Sequence, residues 1–300
     1  MFEYHRLGFA LFCVSTLSAH PNHNATQAIE VSPVPSTQAP VAKGEVEITI
    51  EGNRRIIIAN GVPDHLTGKF PHSDNPNGIR AQDYHFTIPA NPTVNSVPTK
   101  LVRQPFGICV NGVLLDPGTA EYWHNDTNSA WHYDANGSAF SLGLDTNNAH
   151  VQPNGAYHYH GIPVALLNEL SAGREQMTLV GWAADGFPIY AQCGYQNATN
   201  NRSEVVKLET SYRLKSGQRP TANNQPGGTY DGIFEEDFEF IAGSGDLDEC
   251  SGRTGVTPEF PEGTYYYVLT EDFPFIPRYF RGTPDASFAQ RMGPPGRRNR

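Results

Sequence analysis

Two segments of this sequence each occur twice, in alternating order along the chain. Residues 107–115 (GICVNGVLL) align with residues 181–189 (GWAADGFPI), and each copy has two apolar stretches around an Asn-Gly or Asp-Gly turn. Residues 153–160 (PNGAYHYH) align more closely with residues 261–268 (PEGTYYYV). The order predicts one internally duplicated domain with a continuous core, in which the second half carries about 34 extra residues between 195 and 258.

The composition favours short strands joined by many turns. The chain has 29 Gly and 24 Pro, while its 38% hydrophobic residues suffice for a buried core. We therefore expect a mainly β fold, an internally duplicated antiparallel β-sandwich-like domain with long loops and one short helix. That helix is predicted over residues 164–175, since Pro163 suits a first turn and Val164, Leu167 and Leu170 share one helix face.

The two ends of the chain differ from the middle. A basic residue, an apolar run and small residues predict a signal peptide over residues 1–19, and residues 20–44 are typical of a disordered tether. Residues 45–289 form the predicted domain, and residues 290–300 a disordered basic tail. We expect a secreted or periplasmic protein without a membrane span. Its net charge of −10 argues against nucleic acid or an anionic membrane as a partner.

Three cysteines follow the predicted signal peptide. Cys109 lies in an apolar run and is predicted to be a small core residue. Cys193 and Cys250 lie in Gly-rich segments of the second half, where a bond between them would bridge the long insertion. In an oxidising compartment the sequence therefore predicts a Cys193–Cys250 disulfide.

Residues 157–160 (YHYH) have two different faces if they form a strand. Both tyrosines point to one side and both histidines to the other. The second copy, residues 265–268 (YYYV), keeps the tyrosines and lacks the histidines, so the tyrosine face is predicted to be scaffold. His158 and His160 would lie roughly 6.5 to 7 Å apart, which lets two imidazoles converge on one metal ion. His150, beyond a turn, is the third predicted ligand.

All eleven histidines fall within residues 1–160, although the fold repeats. Three imidazoles are typical of copper and zinc sites, and an extracytoplasmic location favours copper first and zinc second. The competing interpretation is that these histidines only form hydrogen bonds to buried carbonyl groups. Weaker candidate ligands are His124, His132 and the His20 that signal cleavage would expose.

Two hypotheses follow from a three-histidine site. The first is a protein that binds one transition-metal ion without catalysis. The second is a metal-dependent extracellular hydrolase or oxidase, with Asp185 and Glu249 as candidate acid or base residues, although Asp185 also suits a turn. The acidic cluster containing Asp246 and Asp248 is a possible calcium site.

A third hypothesis is a module that binds polysaccharide or other cell-surface material. Tyr122, Trp123 and Trp131 would form its aromatic platform. The sequence contains no phosphate-binding Gly loop, Gly-x-Ser-x-Gly elbow or His-Glu-x-x-His helix, which removes the commonest nucleotide, esterase and metalloprotease assignments.

Several of these segments together resemble the YHYH-domain family. They are residues 144–153 (LDTNNAHVQP), 157–161 (YHYHG), 181–190 (GWAADGFPIY) and 245–250 (GDLDEC), in this order. The resemblance spans roughly residues 108 to 288, and His150, His158 and His160 fall on it. It implies a secreted or periplasmic location, and it supplies no reaction.

Overall fold

The computed structural model describes residues 23–171 and 176–289. Within them the chain forms short strands, two short α-helices and 3₁₀ turns at Trp123–Asn125 and Glu235–Asp237. The strands are β1 (Val46–Glu51), β2 (Arg54–Ala59), β3 (Tyr84–Pro89), β4 (Thr99–Lys100), β5 (Gly107–Cys109), β6 (Leu114–Leu115), β7 (Ala149–Val151), β8 (Tyr157–Tyr159), β9 (Leu179–Ala183), β10 (Pro188–Tyr190), β11 (Cys193–Tyr195), β12 (Val205–Lys207), β13 (Tyr212–Leu214), β14 (Phe238–Phe240), β15 (Gly252–Gly255), β16 (Thr264–Val268) and β17 (Tyr279–Phe280). The helices are α1 (Val164–Glu169) and α2 (Ala286–Ala289). The mainly β class is confirmed.

Eight strands form one sheet in the order β15-β16-β10-β9-β5-β6-β8-β7. Each half contains an antiparallel hairpin (β5–β6 or β9–β10), a parallel third strand (β8 or β16) and an antiparallel edge strand (β7 or β15). The register repeats as well, since Leu115 pairs with Tyr159 and Ile189 with Tyr267. The sheet is mixed rather than purely antiparallel, because long connections and not hairpins lead to β8 and β16.

The hairpin turns of the two halves are built alike. Gly112 and Gly186 have φ angles of 80° and 93°, a region that glycine adopts without strain. The preceding Asn111 and Asp185 each accept a backbone N–H from two residues further on. A Cβ at position 186 would lie 2.3 Å from the Pro89 carbonyl oxygen, so this turn also packs closely on β3.

The tyrosine face of the sheet forms the main core. Tyr157, Tyr159, Tyr265 and Tyr267 are at most 4% exposed and cluster with apolar residues of a second sheet, β1-β2-β3. Equivalent phenols have equivalent partners, since Tyr157 donates to Asp145 at 2.8 Å and Tyr265 donates to Asp248 at 2.9 Å. The tyrosines are therefore scaffold residues, as the repeat predicts.

The opposite face of the sheet differs between the halves. In the second half, Tyr190, Tyr266 and Val268 pack with Leu208 and Leu247 of the insertion in a separate buried cluster. In the first half the aligned positions carry Asp116, His158 and His160 instead. These polar residues line a cleft.

Residues 23–44 lie along the domain, in contrast to the predicted disordered tether. Ile29 donates its backbone N–H to Ser138 O at 2.9 Å, and Val34 donates to Leu144 O at 2.8 Å. A segment without hydrophobic periodicity is thus held by backbone pairing, which composition does not reveal. The predicted signal peptide, residues 20–22 and the predicted basic tail lie outside the described residues. No described helix has the length and apolar character needed to cross a membrane.

The helices depart from the prediction in two ways. Helix α1 ends at Glu169, and Ser171 has a φ of 53°, so the helix stops before the predicted end at residue 175. Helix α2 was not predicted from the sequence. Its Phe288 stacks on Phe86 at 4.0 Å between ring centroids, so tertiary packing stabilises this single turn.

The prediction of a disulfide between Cys193 and Cys250 is wrong, because Cys250 is a free thiol in the structure. Cys109 and Cys250 are buried free thiols in the main core, and burial raises the pKa of Cys250 to about 12. Cys193 is also buried but begins β11, which pairs with β12 of the insertion. A disulfide requires closely matched Cβ positions, and sequence spacing does not report them. The core position predicted for Cys109 is confirmed.

Candidate metal centre

Strands β7 and β8 bring three imidazoles together. His150 pairs directly with His158 across the two strands, and His160 follows the end of β8. The Nε2 atom of His160 lies 2.9 Å from that of His158 and 3.1 Å from that of His150. Metal–nitrogen bonds of about 2.0–2.1 Å place neighbouring ligand atoms roughly 2.8 to 3.4 Å apart. Both distances suit a shared ion, and the ligand atoms of all three histidines lie within 4.8 Å of one another.

The backbone fixes which nitrogens face one another. Nδ1 of His150 lies 2.8 Å from Leu142 O, and Nδ1 of His158 lies 3.2 Å from Ala156 O. Because a carbonyl oxygen only accepts, both Nδ1 atoms carry the proton and both Nε2 atoms present a lone pair. His160 Nε2 could donate one proton to one of these lone pairs and would leave the other unsatisfied. A metal ion satisfies all three nitrogens at once.

The three imidazoles are neutral at physiological pH. His158 and His160 are each 2% exposed, and burial lowers the pKa of His158 to about 4. Burial and the neighbouring His158 lower the pKa of His150 to about 3. Burial, then His158 and His150, lower the pKa of His160 well below its ordinary value. Neutral imidazole is the form that binds metals, so the site is already in its binding state.

The imidazoles line a cleft of about 1360 Å³. Metal bound to the three nitrogens would therefore keep one side open to a ligand or substrate. The cleft also has charged walls, formed by the acidic residues Asp74, Asp116, Glu121, Glu235 and Glu236 and the basic residues Lys100, Arg103 and Arg278.

Asp116 is a cleft residue that the sequence analysis did not identify. Its N–H donates to Tyr159 O at 2.9 Å, which places it beside His160 and on the same sheet face. Asp116 is 5% exposed, and its carboxyl group accepts a hydrogen bond from Gln152 Nε2 at 3.2 Å. Burial raises its pKa to about 6. The repeat held a signal for this residue, since the second half has Tyr190 at the aligned position.

Two further carboxyl groups of the cleft surround His132 and were also missed. Nδ1 of His132 lies 3.4 Å from Glu235 Oε1, and its backbone N–H donates to Glu236 Oε2 at 2.7 Å. Burial opposes ionisation of Glu235, but Arg278 and His132 outweigh it and lower its pKa to about 2. Burial raises the pKa of Glu236 to about 7. His132 is thus committed to Glu235 and, like His124, is not part of the three-nitrogen cluster.

The structure places Asp185 and Glu249 away from the cleft lining. Asp185 is 1% exposed and accepts hydrogen bonds from the Tyr267 hydroxyl and the Gly282 N–H. Its counterpart Asn111 contacts the equivalent Tyr159 in the first half, so Asp185 has the structural turn role. The Glu249 side chain is 46% exposed and lies 3.8 Å from Arg281.

The candidate calcium residues have other partners. Asp246 accepts the Glu209 N–H at 2.8 Å. Asp248 accepts from the N–H groups of Cys250 and Gly252 and from the Tyr265 hydroxyl. Both carboxylates thus stabilise turns and strand ends. Across residues 23–171 and 176–289, His150, His158 and His160 are the one group of three or more His, Cys, Asp or Glu side chains spaced to hold a metal ion.

The predicted aromatic platform is absent from the described surface. Trp123 is 6% exposed and Trp131 9%, and both pack with Tyr133 and Phe234 in a buried cluster. Tyr122 lies in the cleft wall, stacked on His132 at 4.4 Å. Their loop-like sequence predicts exposed tryptophans, but Trp123 and Trp131 are buried by packing between segments of the chain.

Comparison with known proteins gives a family for the chain. No curated protein and no solved structure was found to match it. The profile of the family described as YHYH protein matches residues 85–282, about two thirds of the chain. The match includes β7 and β8 and therefore all three imidazoles of the site. The chain accordingly belongs to the YHYH family.

Proposed function

We propose that this protein binds one transition-metal ion through His150, His158 and His160, outside the cytoplasm. The observation that carries the proposal is that the ligand nitrogens of three neutral imidazoles lie within 4.8 Å of one another, with two of the rings oriented by backbone carbonyls. Hydrogen bonds alone do not account for this arrangement, because three facing nitrogens have at most one proton to share. A secreted or periplasmic location rests on the sequence of residues 1–19.

Copper is the first choice of metal and zinc the second. Nitrogen ligands bind Cu²⁺ more tightly than other divalent ions of the first transition row. Three imidazoles with an open side also suit zinc, which in catalytic sites keeps one position for water.

Titration of the metal-free full chain with Cu²⁺ and with Zn²⁺ tests the proposal. Calorimetry at neutral pH should show saturation near one equivalent for both metals and tighter binding of copper. A His150→Ala variant should bind either metal at least about tenfold more weakly, whereas His124→Ala, outside the cluster, should bind as the unaltered protein does. Absence of binding by the folded protein would refute the site.

A metal-dependent extracellular hydrolase or oxidase is the second candidate function. The observation that favours it is a cleft large enough for a substrate, with Asp116 and Glu236 in its lining. Burial raises the pKa of both carboxyl groups toward neutrality, as general acid or base catalysis requires. When bound, a zinc or copper ion would supply a Lewis acid in the same cleft. Metal-dependent turnover lost in both Asp116→Asn and Glu236→Gln would support this candidate, and metal binding without turnover would leave the first.

A further inference from the structure

Arg278 is a buried cation in the wall of the histidine cleft. Its side chain is 7% exposed, and the residue directly precedes β17. Nη2 donates to Asp134 Oδ2 at 2.5 Å, and Nε lies 3.5 Å from Glu235 Oε1. Nη1 and Nε are buried, and neither has a hydrogen-bond partner within the described residues. Nε still has the carboxylate of Glu235 beside it, whereas both N–H bonds of Nη1 are uncommitted.

The guanidinium group is held in a fixed position. Asp134 and Glu235 contact its Nη2 and Nε side, and the guanidinium lies 5.5 Å from the ring of Phe273. A planar group fixed on one edge presents the other in a defined direction, which is the geometry that recognises a carboxylate or phosphate. Both Arg278 and the three imidazoles line the cleft.

Arg278 is also linked to the histidine site by hydrogen bonds. Its Nη2 donates to Asp134 Oδ2, and Asp134 Oδ1 accepts the N–H of Asn136 at 2.8 Å. The Asn136 side chain in turn donates to the His160 carbonyl oxygen at 3.0 Å. A small ligand on the metal would therefore experience the positive charge of Arg278.

The charge of the cleft sets the order of binding. Its lining has five acidic and three basic residues, so a free anion is repelled from the metal-free protein. A divalent ion on the imidazoles would offset this excess of acidic residues. An anion would then be attracted by both the metal ion and the guanidinium group of Arg278.

We propose that Nη1 of Arg278 binds one oxygen of a small oxyanion, a carboxylate or a phosphate, that occupies the cleft beside the metal. This inference rests on the proposed function, because the metal supplies the charge that admits the anion. The cleft would thus bind anionic molecules. Asp134 and Glu235 hold the other side of the guanidinium group, and the anion would supply the hydrogen-bond partner that Nη1 lacks.

The test uses the full chain loaded with one equivalent of Cu²⁺. Copper stoichiometry is measured first. Benzoate and inorganic phosphate are then titrated separately, with calorimetry for affinity and the electron paramagnetic resonance of copper as a second readout. The variant is Arg278→Lys, which keeps the charge and removes the planar fork. Arg213→Lys, at a half-buried arginine outside the cleft lining, is the matched control.

We expect copper-loaded protein to bind at least one probe, and metal-free protein to bind it at least about tenfold more weakly. Arg278→Lys should weaken binding roughly tenfold at unchanged copper stoichiometry, and Arg213→Lys should change it less than about twofold. Tighter binding of benzoate assigns the site to carboxylates, and tighter binding of phosphate assigns it to phosphates.

Other outcomes would overturn the inference. If copper binds but neither anion does, or if folded Arg278→Lys binds both as the unaltered protein does, the inference is wrong and the metal site stands. If no copper binds, the proposed function fails and the inference fails with it. Should Arg278→Lys not fold, Glu235→Gln replaces it. Removing the negative charge beside the guanidinium should tighten probe binding about threefold, and no change would refute the role of Arg278.

Discussion

The internal repeat provides a substitution that removes the metal site while imitating a sequence the fold already accepts. His158→Tyr with His160→Val gives the first half the residues that the second half has at Tyr266 and Val268. Both of those side chains are fully buried there. In the second half Arg253 donates to the Tyr266 hydroxyl at 2.7 Å, and the register places His150 at the position of Arg253.

The double variant should fold and lose its metal. Only one of the three imidazoles remains, so affinity for Cu²⁺ should fall by at least about a thousandfold, or roughly 4 kcal/mol. Placing the larger tyrosine at the buried His158 should lower the free energy of unfolding by about 1–3 kcal/mol. The cleft beside it gives the new ring room, which favours the lower end of that range.

Tyr157→Ala is the matched change on the opposite face. Tyr157 is fully buried, and its hydroxyl donates to Asp145 at 2.8 Å. Loss of the ring should lower the free energy of unfolding by about 3–5 kcal/mol. Its folded fraction should still bind one copper ion, since the imidazoles lie on the other face of β8.

Urea denaturation of the metal-free proteins and calorimetric copper titration separate the two effects. The double histidine variant should fail in the titration, and Tyr157→Ala in denaturation. A double variant that retains copper at one equivalent, or a fully stable Tyr157→Ala protein that binds none, would show that the two faces are assigned the wrong way round.

Two other predictions concern stability. The pKa of Glu236 is raised to about 7, above its unfolded value of about 4.5. The stability that its protonated form contributes is therefore complete below pH 4.5 and is lost as the pH rises through 7. Relative to wild type, Glu236→Gln should thus be more stabilising at pH 8 than at pH 4.5, by up to about 3 kcal/mol. Denaturation at both pH values measures this, and a pH-independent difference would contradict it. Gly186→Ala should destabilise the protein by several kcal/mol, because the new Cβ would lie 2.3 Å from the Pro89 carbonyl oxygen. Gly217 has a similar φ of 95°, but a Cβ there would have no atom within 4 Å, so Gly217→Ala should cost about 1–2 kcal/mol. Equal thermal shifts for the two alanine variants would mean that backbone strain, and not the close contact, dominates.

The sequence predicted the features that follow from the alternation of side chains along a strand and from the internal repeat. The period-two pattern of residues 157–160 was sufficient to assign the tyrosines to one face and the histidines to the other. The turn at Gly155 indicated that His150 returns beside His158, and the structure pairs them directly. The duplication reappears as a repeated strand register.

The remaining features depend on long-range pairing. Asp116 becomes a site neighbour only because β6 lies parallel to β8, and neither strand indicates this by itself. Glu235, Glu236 and Arg278 approach the histidines from distant parts of the chain. Trp123 contacts the ring of Phe234, more than a hundred positions away, so its neighbours in sequence do not indicate that it is buried.

The separation of the tyrosine core from the histidine face bears on how this fold can diversify. One face of the sheet is the same in both halves and maintains folding, while the other holds an open polar site in one half and a filled apolar cluster in the other. Substitutions on the second face leave the shared core intact, so selection can change a ligand set there without first restoring stability. The second half, where apolar residues fill this face, shows that the same sheet tolerates different side chains there. A protein engineer could therefore change the metal ligands, or the charges around them, without altering the tyrosine core.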